Sequence, residues 1–269
     1  MLIFEGSPDV RSIFLWSWLC VPPLTHLALA CRLLAALRSH QEVTVVTPAL
    51  RTVGNIVTGN DRQTQIMLNS LVLPALDYLL KNDRETIRKE TCWTLSNITA
   101  GTKPQIQKVI DANIMPSLIA ILAHGEFKIR KEAAWAISNA TMGGDDAQIR
   151  YLVEHGCIPP LCDLLEVNEP RIVEVVLDGL ENILVVGQRD SLQNGGVNLY
   201  AEYLENCGGL DKLEYLHVHP NHDIYQKVYK IIDEYFGHFD GEEAPEVGED
   251  GRFAFGVEEI LPEGGYDLS

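Results

Sequence analysis

The chain has 269 residues, 46% of them apolar, and a formal net charge of −17. That length is enough for one large hydrophobic core or one array of repeats. Such an acidic chain is a poor partner for nucleic acid, which needs a basic surface, and a good one for a basic peptide or protein. The charge is concentrated at the C-terminus, where residues 237–269 carry ten acidic residues and one Arg.

The N-terminal segment, residues 1–29, has no pattern that we can assign. Two apolar runs, 12–19 and 24–37, have the composition of a signal peptide or membrane segment. Glu5 and Asp9, however, stand where a signal peptide carries positive charge, and two prolines at 22–23 interrupt the apolar run. We therefore predict no membrane partner.

An internal repeat dominates the sequence from about residue 30. Asn55, Asn97 and Asn139 are spaced by 42 residues, and Asn182 follows 43 residues later. The same steps relate other positions: Gly59, Gly101 and Gly143; Gln63, Gln105 and Gln148; Pro74, Pro116 and Pro159. A period of about 42 residues falls in the range of armadillo and HEAT repeats.

Each repeat is expected to contain three helices. The first has Pro in its first turn, where the missing N–H costs nothing, as at Pro74. A polar stretch and a longer helix follow, over Ile87–Thr99 or Ile129–Thr141, and a brief helix leads to the next repeat. Gly101 after the long helix suits a C-terminus with positive φ. No alternation of period two indicates strands.

These patterns predict an all-α fold, a right-handed superhelical solenoid of armadillo repeats. The predicted repeats span about 30–69, 70–111, 112–154, 155–205 and 206–237. The fourth repeat has an insertion rich in Gly, Asn and Gln near 187–198, and the fifth ends in a capping helix over Ile224–Phe236. The acidic, Gly- and Pro-containing residues 238–269 are predicted to be a disordered tail.

The long helices carry the candidate site. Trp93 and Asn97 are four residues apart, as are Trp135 and Asn139, so each pair lies on one helical face. Stacking of the repeats then places Trp and Asn in two parallel columns, which we call the Trp/Asn ladder. Asn donates and accepts hydrogen bonds and can hold a peptide backbone, whatever the side chains of that peptide are.

The remaining chemistry of the ladder favours basic ligands. Neighbouring Trp side chains form slots for the aliphatic stem of Lys or Arg and attract its cationic head. Glu90 and Glu132 lie one turn from the Trp residues and can meet that charge. A structural role for Trp and Asn is the alternative, in which Asn links repeats. Recurrence of a polar residue in four units favours peptide binding, because burying unbonded Asn is costly.

The sequence contains few indications of catalysis or metal binding. We find no Gly-rich phosphate loop, nucleophile elbow or HExxH motif, and we predict a protein without enzymatic activity or cofactor. His217, His219, His222 and Cys207 have a spacing that could ligate a metal, but they lack a convincing fourth ligand, so we predict no metal site. Six scattered cysteines without a CxxC pair suit a reducing compartment.

Three segments, Thr47–Gly59, Arg88–Gly101 and Arg130–Asn139, strongly resemble the importin-alpha family from its sixth repeat onward. The resemblance runs from about Cys31 to Phe236. It implies a nuclear-import adaptor in which the ladder is the minor binding site for the nuclear localisation signals (NLSs) of cargo proteins. The family's basic importin-beta-binding arm and first five repeats have no counterpart here, so importin-beta is expected to bind only if that arm is supplied.

The resemblance also implies roles for individual residues. The site would be formed by Arg51, which stands at the Trp position of its repeat, and by Asn55, Val57, Thr58, Glu90, Trp93, Asn97, Glu132, Trp135, Asn139 and Asn182. Asp178 stands at the Trp position of the fourth repeat, so the groove should end there. The last repeat and the tail would contact the export receptor, and the protein would shuttle between cytoplasm and nucleus.

Two alternatives stay open at the level of sequence. One is a generic armadillo scaffold with another partner. Beta-catenin-like arrays, which bind acidic ligands in basic grooves, have the opposite charge balance. The other is a fragment that does not import cargo and keeps only the export-receptor contact.

Overall fold

The computed structural model describes residues 42–192 and 195–237, and these residues form thirteen α-helices and no strand. The helices are α1 Val43–Val57, α2 Asp61–Asn69, α3 Val72–Leu80, α4 Glu85–Thr99, α5 Lys103–Asp111, α6 Met115–His124, α7 Phe127–Gly143, α8 Asp146–Glu154, α9 Ile158–Cys162, α10 Pro170–Ser191, α11 Leu199–Asn206, α12 Gly209–Leu216 and α13 His222–Tyr235. The predicted all-α class is confirmed. The predictions for residues 1–29 and for a disordered tail fall outside the described residues.

The helices stack in rows. The long helices α1, α4, α7, α10 and α13 pack side by side in that order. The short helices α2, α5 and α8 form a second row, and α6, α9 and α12 form a third. Each unit contacts mainly its sequence neighbours, which is the organisation of a solenoid.

The hydrophobic core follows the repeat period. Val53, Leu95, Ile137 and Leu180 occupy equivalent positions on α1, α4, α7 and α10, and each is completely buried. They belong to one cluster of aliphatic side chains that continues through every described unit. Spacings of 42, 42 and 43 residues in the sequence therefore become one continuous column in the fold.

The recurrent prolines begin helices, as predicted. Pro116 and Pro159 stand in the first two positions of α6 and α9, and Pro74 stands in the first turn of α3. The predicted insertion of the fourth repeat is partly helical, because α10 continues through Gly187 to Ser191. Asn198 caps α11 and donates to the carbonyl of Leu184 at 3.0 Å, which holds the connection against α10.

The glycines after the long helices have a different role from the one predicted. Gly101 does not have positive φ, so the predicted left-handed C-terminus is wrong there, and the equivalent Gly59 does not have positive φ either. A Cβ on Gly101 would lie 2.1 Å from Oε1 of Gln105, and one on Gly59 would lie 1.8 Å from Oε1 of Gln63. Gly is required here because the Gln side chain of the next helix occupies the space.

The recurrent Gln residues join neighbouring units. Gln105 is buried, accepts from the backbone N–H of Thr102 at 3.1 Å, and donates to the carbonyl of Asp61 at 2.8 Å. Gln148 does the same one unit later with Asp145 and Lys103. Each Gln thus caps its own helix and bonds to the start of the equivalent helix one repeat earlier.

None of the described helices combines the length and the apolar composition of a membrane span. Within residues 42–192 and 195–237, no single helix is long and apolar enough to cross a membrane. Helices α5 and α6 meet the length and composition criteria only when taken together, and they are bent by 82° at their junction.

We predict that Gln105→Ala lowers the free energy of unfolding by about 1–3 kcal/mol, because it removes a helix cap and a hydrogen bond that joins two repeats. Urea unfolding followed by circular dichroism measures the change. Gln65→Ala is the matched control, since Gln65 bonds only within its own helix, to Asn69. Equal destabilisation by the two substitutions would show that the bond between repeats contributes nothing.

Candidate functional site

The Trp/Asn ladder forms on the row of long helices. Trp93 and Asn97 project from α4, and Trp135 and Asn139 project from α7, which packs directly beside α4. All four side chains are partly buried and partly exposed, between a row of core residues and the surface. The predicted columns are therefore present, with two complete rungs on adjacent helices.

Trp93 is positioned by a glycine of the preceding unit. A Cβ on Gly54 of α1 would lie 2.2 Å from Cζ3 of Trp93, which is too close for two carbon atoms that are not bonded to each other. Gly54 is buried within its helix. The six-membered ring of the Trp93 indole consequently lies against the backbone of α1, and this contact fixes the ring across the junction between two units.

The Asn side chains link repeats as well as facing outward. Asn139 donates through Nδ2 to the carbonyl of Ser96 at 3.0 Å, and Asn182 donates to Oγ1 of Thr141 at 3.2 Å. Asn97 donates to the carbonyl of Trp93 on its own helix at 2.9 Å. Each of these bonds uses one N–H of the amide, so the carbonyl oxygen and the second N–H are left for other partners.

Arg51 of the first unit and Glu90 of the second, two of the predicted site residues, bond to each other. Nη2 of Arg51 donates to Oε1 of Glu90 at 2.9 Å, and this bond raises the pKa of Arg51. Glu90 is buried, so its carboxylate is neutralised within the protein. Asn55 is exposed as predicted. Val57 is only 3% exposed and belongs to the core, so its side chain does not line the surface as predicted.

Thr58 is the C-cap residue of α1 and the last of the predicted site residues in the first unit. It is exposed, and its Oγ1 donates to the carbonyl of Asn55 at 2.8 Å. The structure therefore presents Arg51, Asn55 and Thr58 on the surface of α1 and its C-cap. That unit offers polar groups and a guanidinium where the following units offer Trp.

Glu132 lies on α7, three residues before Trp135, and its side chain is partly buried. Burial raises the pKa of its carboxyl, Lys89 and Lys131 lower it, and the like charge of Glu90 raises it further. Lys131 itself is bonded to Glu169 at 2.8 Å. A cation bound beside Glu132 would offset the cost of burying this carboxylate.

A pocket of about 210 Å³ lies where the ladder reaches α10. It is lined by Trp135 and Asn139 from α7 and by Arg171, Glu174 and Asp178 from α10. The guanidinium of Arg171 lies 5.5 Å from the centroid of the Trp135 ring, a cation–π contact that the chain makes with itself.

The predicted end of the ladder coincides with bonds to the last helix. Asp178, at the Trp position, accepts a hydrogen bond from Lys227 of α13, and Glu174 accepts from Asn221 at 3.0 Å. Both acidic groups of the pocket are thus engaged by the last unit. Asp178 does not provide a wall comparable to Trp93 or Trp135.

The histidines considered as metal ligands serve other contacts. Nδ1 of His219 accepts from the backbone N–H of Asn221 at 3.0 Å, and the ring of His217 lies 5.1 Å from that of Tyr225. Among the described residues, no group of three or more His, Cys, Asp or Glu side chains is arranged to hold a metal ion.

Two contributors to the site, Gly54 and Arg171, were missed by sequence reasoning. For Gly54 a signal was available, because positions 54, 96 and 138 repeat at 42 residues and hold Gly, Ser and Ser. A recurring small residue inside an amphipathic helix indicates a close neighbour. Arg171 gave no such signal, since its contact with Trp135 joins two helices that only the fold brings together.

Comparison with known proteins supports this architecture. A model of the armadillo/beta-catenin-like repeat matches residues 60–100, 102–142 and 145–185, and a model of the atypical Arm repeat matches 198–249. The chain is 49% identical to importin subunit alpha-1b of Oryza sativa subsp. japonica over 240 residues, which are 87% of this chain and 45% of the relative. It is 52% identical to importin subunit alpha-4 of Arabidopsis thaliana over 249 residues, 89% of this chain and 46% of the relative.

Among solved structures, the chain is similar to a designed armadillo repeat protein in complex with the peptide (KR)4. The two share 26% sequence identity with a TM-score of 0.65, over 83% of this chain and 92% of the designed protein. The predicted armadillo solenoid is thereby confirmed. The chain spans less than half the length of the curated relatives it matches.

We predict that Gly54→Ala destabilises the protein by about 1–2 kcal/mol, although Ala is the better helix former, because its Cβ must displace the Trp93 ring. Urea unfolding measures the loss. In a Trp93→Phe background the smaller ring should relieve the clash, so Gly54→Ala should be neutral or stabilising there. Identical effects in both backgrounds would show that Gly54 and Trp93 are not coupled.

Proposed function

Because the chain belongs to the importin-alpha family of armadillo-repeat proteins, we propose that it is a nuclear-import adaptor whose Trp/Asn ladder binds basic nuclear localisation signals. Its relatives and structural neighbours are adaptor and scaffold proteins, and the chain is not an enzyme. The observation that carries the proposal is the pair of half-exposed Trp residues on adjacent helices, each with Asn one turn further along.

The spacing of the ladder suits an extended peptide. Packed helices lie about 8–10 Å apart, and an extended chain rises about 3.3 Å per residue. Each rung therefore meets every second or third residue of the peptide. The free amide groups of Asn97 and Asn139 would hold its backbone, and the Trp93 and Trp135 rings would sandwich the stems of Lys or Arg.

The acidic residues of the site would have different roles in binding. Glu132 is the carboxylate that we expect to meet the ligand cation directly. Glu90 would act through Arg51, which it orients, and Asn55 and Thr58 would contact the peptide in the first unit. The designed neighbour in complex with (KR)4 supports this assignment, because an alternating Lys/Arg peptide is the class of ligand that the ladder fits.

Further partners follow from the family. We propose that the last repeat, residues 206–237, contributes to contact with the export receptor, and that the acidic residues 238–269 take part in it. A shuttling adaptor of this kind is present in both cytoplasm and nucleus.

Two other functions remain as alternatives. A generic armadillo scaffold would keep the fold and use another ligand, and it would not lose binding when the Lys cluster of a cargo is reversed in charge. A protein that has only the export-receptor contact would bind no basic peptide while remaining fully folded. The experiments below separate these cases.

Replacing both Trp residues tests the ladder. We predict that Trp93→Ala/Trp135→Ala weakens binding of a fluorescent Lys/Arg-rich signal peptide by about 30-fold or more, since both walls of the cationic slots are removed. Fluorescence polarisation measures the affinity, and circular dichroism checks that the helices persist.

The control for this experiment is a double variant of exposed aromatic residues away from the ladder, Tyr78→Ala/Tyr215→Ala, which lie on α3 and α12. It should bind as the wild type does. If the folded wild type fails to bind the peptide, the ladder is not a working groove and the export-only alternative is favoured.

Binding should also depend strongly on salt. Charges at the ladder are partly exposed, so we predict that raising ionic strength from about 50 to about 200 mM weakens peptide affinity several-fold. A peptide with Glu in place of each Lys should not bind at either concentration. Affinity that is insensitive to salt, or binding of the acidic peptide, would favour the scaffold alternative.

A further inference from the structure

Two cysteines distant in sequence meet beneath the last unit. Sγ of Cys162, at the end of α9, lies 3.9 Å from Sγ of Cys207, which caps the C-terminus of α11. Forty-five residues separate them. Both are free thiols, and they lie outside the ladder and its pocket.

Gly209 leaves space for the Cys162 sulfur, and the two cysteines differ in burial. A Cβ on Gly209 would lie 2.7 Å from Sγ of Cys162, so the first residue of α12 must be Gly for the sulfur to be there. Cys162 is completely buried. Cys207 is half-buried, and its thiol donates to the carbonyl of Leu204 at 3.2 Å. One sulfur is therefore reachable from solvent and the other is shielded behind it.

The two thiols differ in acidity. The side-chain hydrogen bond between the two thiols lowers the pKa of Cys207 to about 7, and the backbone N–H of Gly209 and the charge of Lys212 act in the same direction. The hydrogen bond between the two thiols, together with burial, raises the pKa of Cys162. Burial raises the pKa of Cys92 and Cys157 to about 12, so neither shares the thiolate character of Cys207.

We propose that Cys162 and Cys207 form a dithiol modification site, which low-molecular-weight disulfides such as oxidised glutathione convert into an intramolecular disulfide. The Cys207 thiolate attacks one sulfur of oxidised glutathione, so a mixed disulfide forms and one glutathione thiolate leaves. Cys162 then loses its proton and attacks the Cys207 sulfur, and the second glutathione leaves. The two cysteines lose two electrons, and the oxidant becomes two reduced glutathiones.

This bond would fix the last unit to the one before it. The sulfurs need to approach from 3.9 Å to about 2.05 Å for this bond to form. The disulfide would tie α9 to the junction of α11 and α12. Helix α13 is already joined to α10 through Lys227–Asp178 and Lys230–Glu181. Oxidation would thus hold both ends of the last unit in place.

The test uses the full chain with Cys20 and Cys31 replaced by Ser, because those residues lie outside the described structure. The protein is exposed to oxidised glutathione, unreacted thiols are alkylated, and intact mass and peptide mapping follow. We expect the loss of two hydrogen atoms, one peptide linking Cys162 to Cys207, and a rise in Tm of about 5 °C or more.

Variants distinguish the two roles. Cys162→Ser, which keeps a hydroxyl beside Cys207, should stop at a stable mixed disulfide on Cys207, whereas Cys207→Ser should leave Cys162 unmodified. Cys157→Ser, a matched change of a buried cysteine at the start of the same repeat, should still form the 162–207 link. Absence of the link in the folded wild type, or modification of Cys92 or Cys157 as fast as Cys207, would overturn the proposal. Circular dichroism confirms that each variant is folded.

Discussion

The side-by-side packing of the long helices is the interaction on which everything else in this protein depends. No unit can bury its apolar face alone, so each contributes one completely buried residue, such as Leu95 or Ile137, to a column shared with its neighbours. Packing of this kind fixes the distance and orientation between successive helices. Side chains at one register of the repeat are then forced into a line on the surface.

The same packing determines which polar side chains form hydrogen bonds between repeats. Gln105 and Gln148 reach back to the start of the preceding equivalent helix, and Asn139 reaches back to the carbonyl of Ser96. These bonds satisfy buried groups whose isolation would cost about 1–3 kcal/mol each. The Asn residues serve the fold and the surface together, because an amide has more hydrogen-bonding capacity than one bond between repeats consumes. A structural role and a binding role are therefore compatible at these positions.

Periodicity was sufficient to predict the class of fold, the helix order and the Trp/Asn ladder, because all three depend on spacing along the chain. Trp93 and Asn97 share a face in any α-helix, and a period of 42 places the next pair beside them in any armadillo array. Contacts between side chains of different units were not predictable in this way. The bond from Arg51 to Glu90 joins residues 39 apart, and the burial of Val57 depends on how α1 meets its neighbours. The role of Gly101 was misassigned for the same reason, since what excludes a side chain there is Gln105 of the next helix.

The end of the ladder is a consequence of charge as well as of a missing Trp. Asp178 and Glu181 are one turn apart on α10, and Lys227 and Lys230 are one turn apart on α13, so the two pairs meet in register. Exposed ion pairs contribute little each, about 0–1 kcal/mol, yet two in register orient a helix that also buries Ile224 and Val228. The cations that bind these carboxylates belong to the chain itself. At the end of the ladder, a ligand cation would have to displace Lys227 or Lys230. Beside Glu132, by contrast, it would offset the cost of partly burying a carboxylate. Under the proposed function, the last helix would therefore limit where along the ladder a basic peptide gains binding energy.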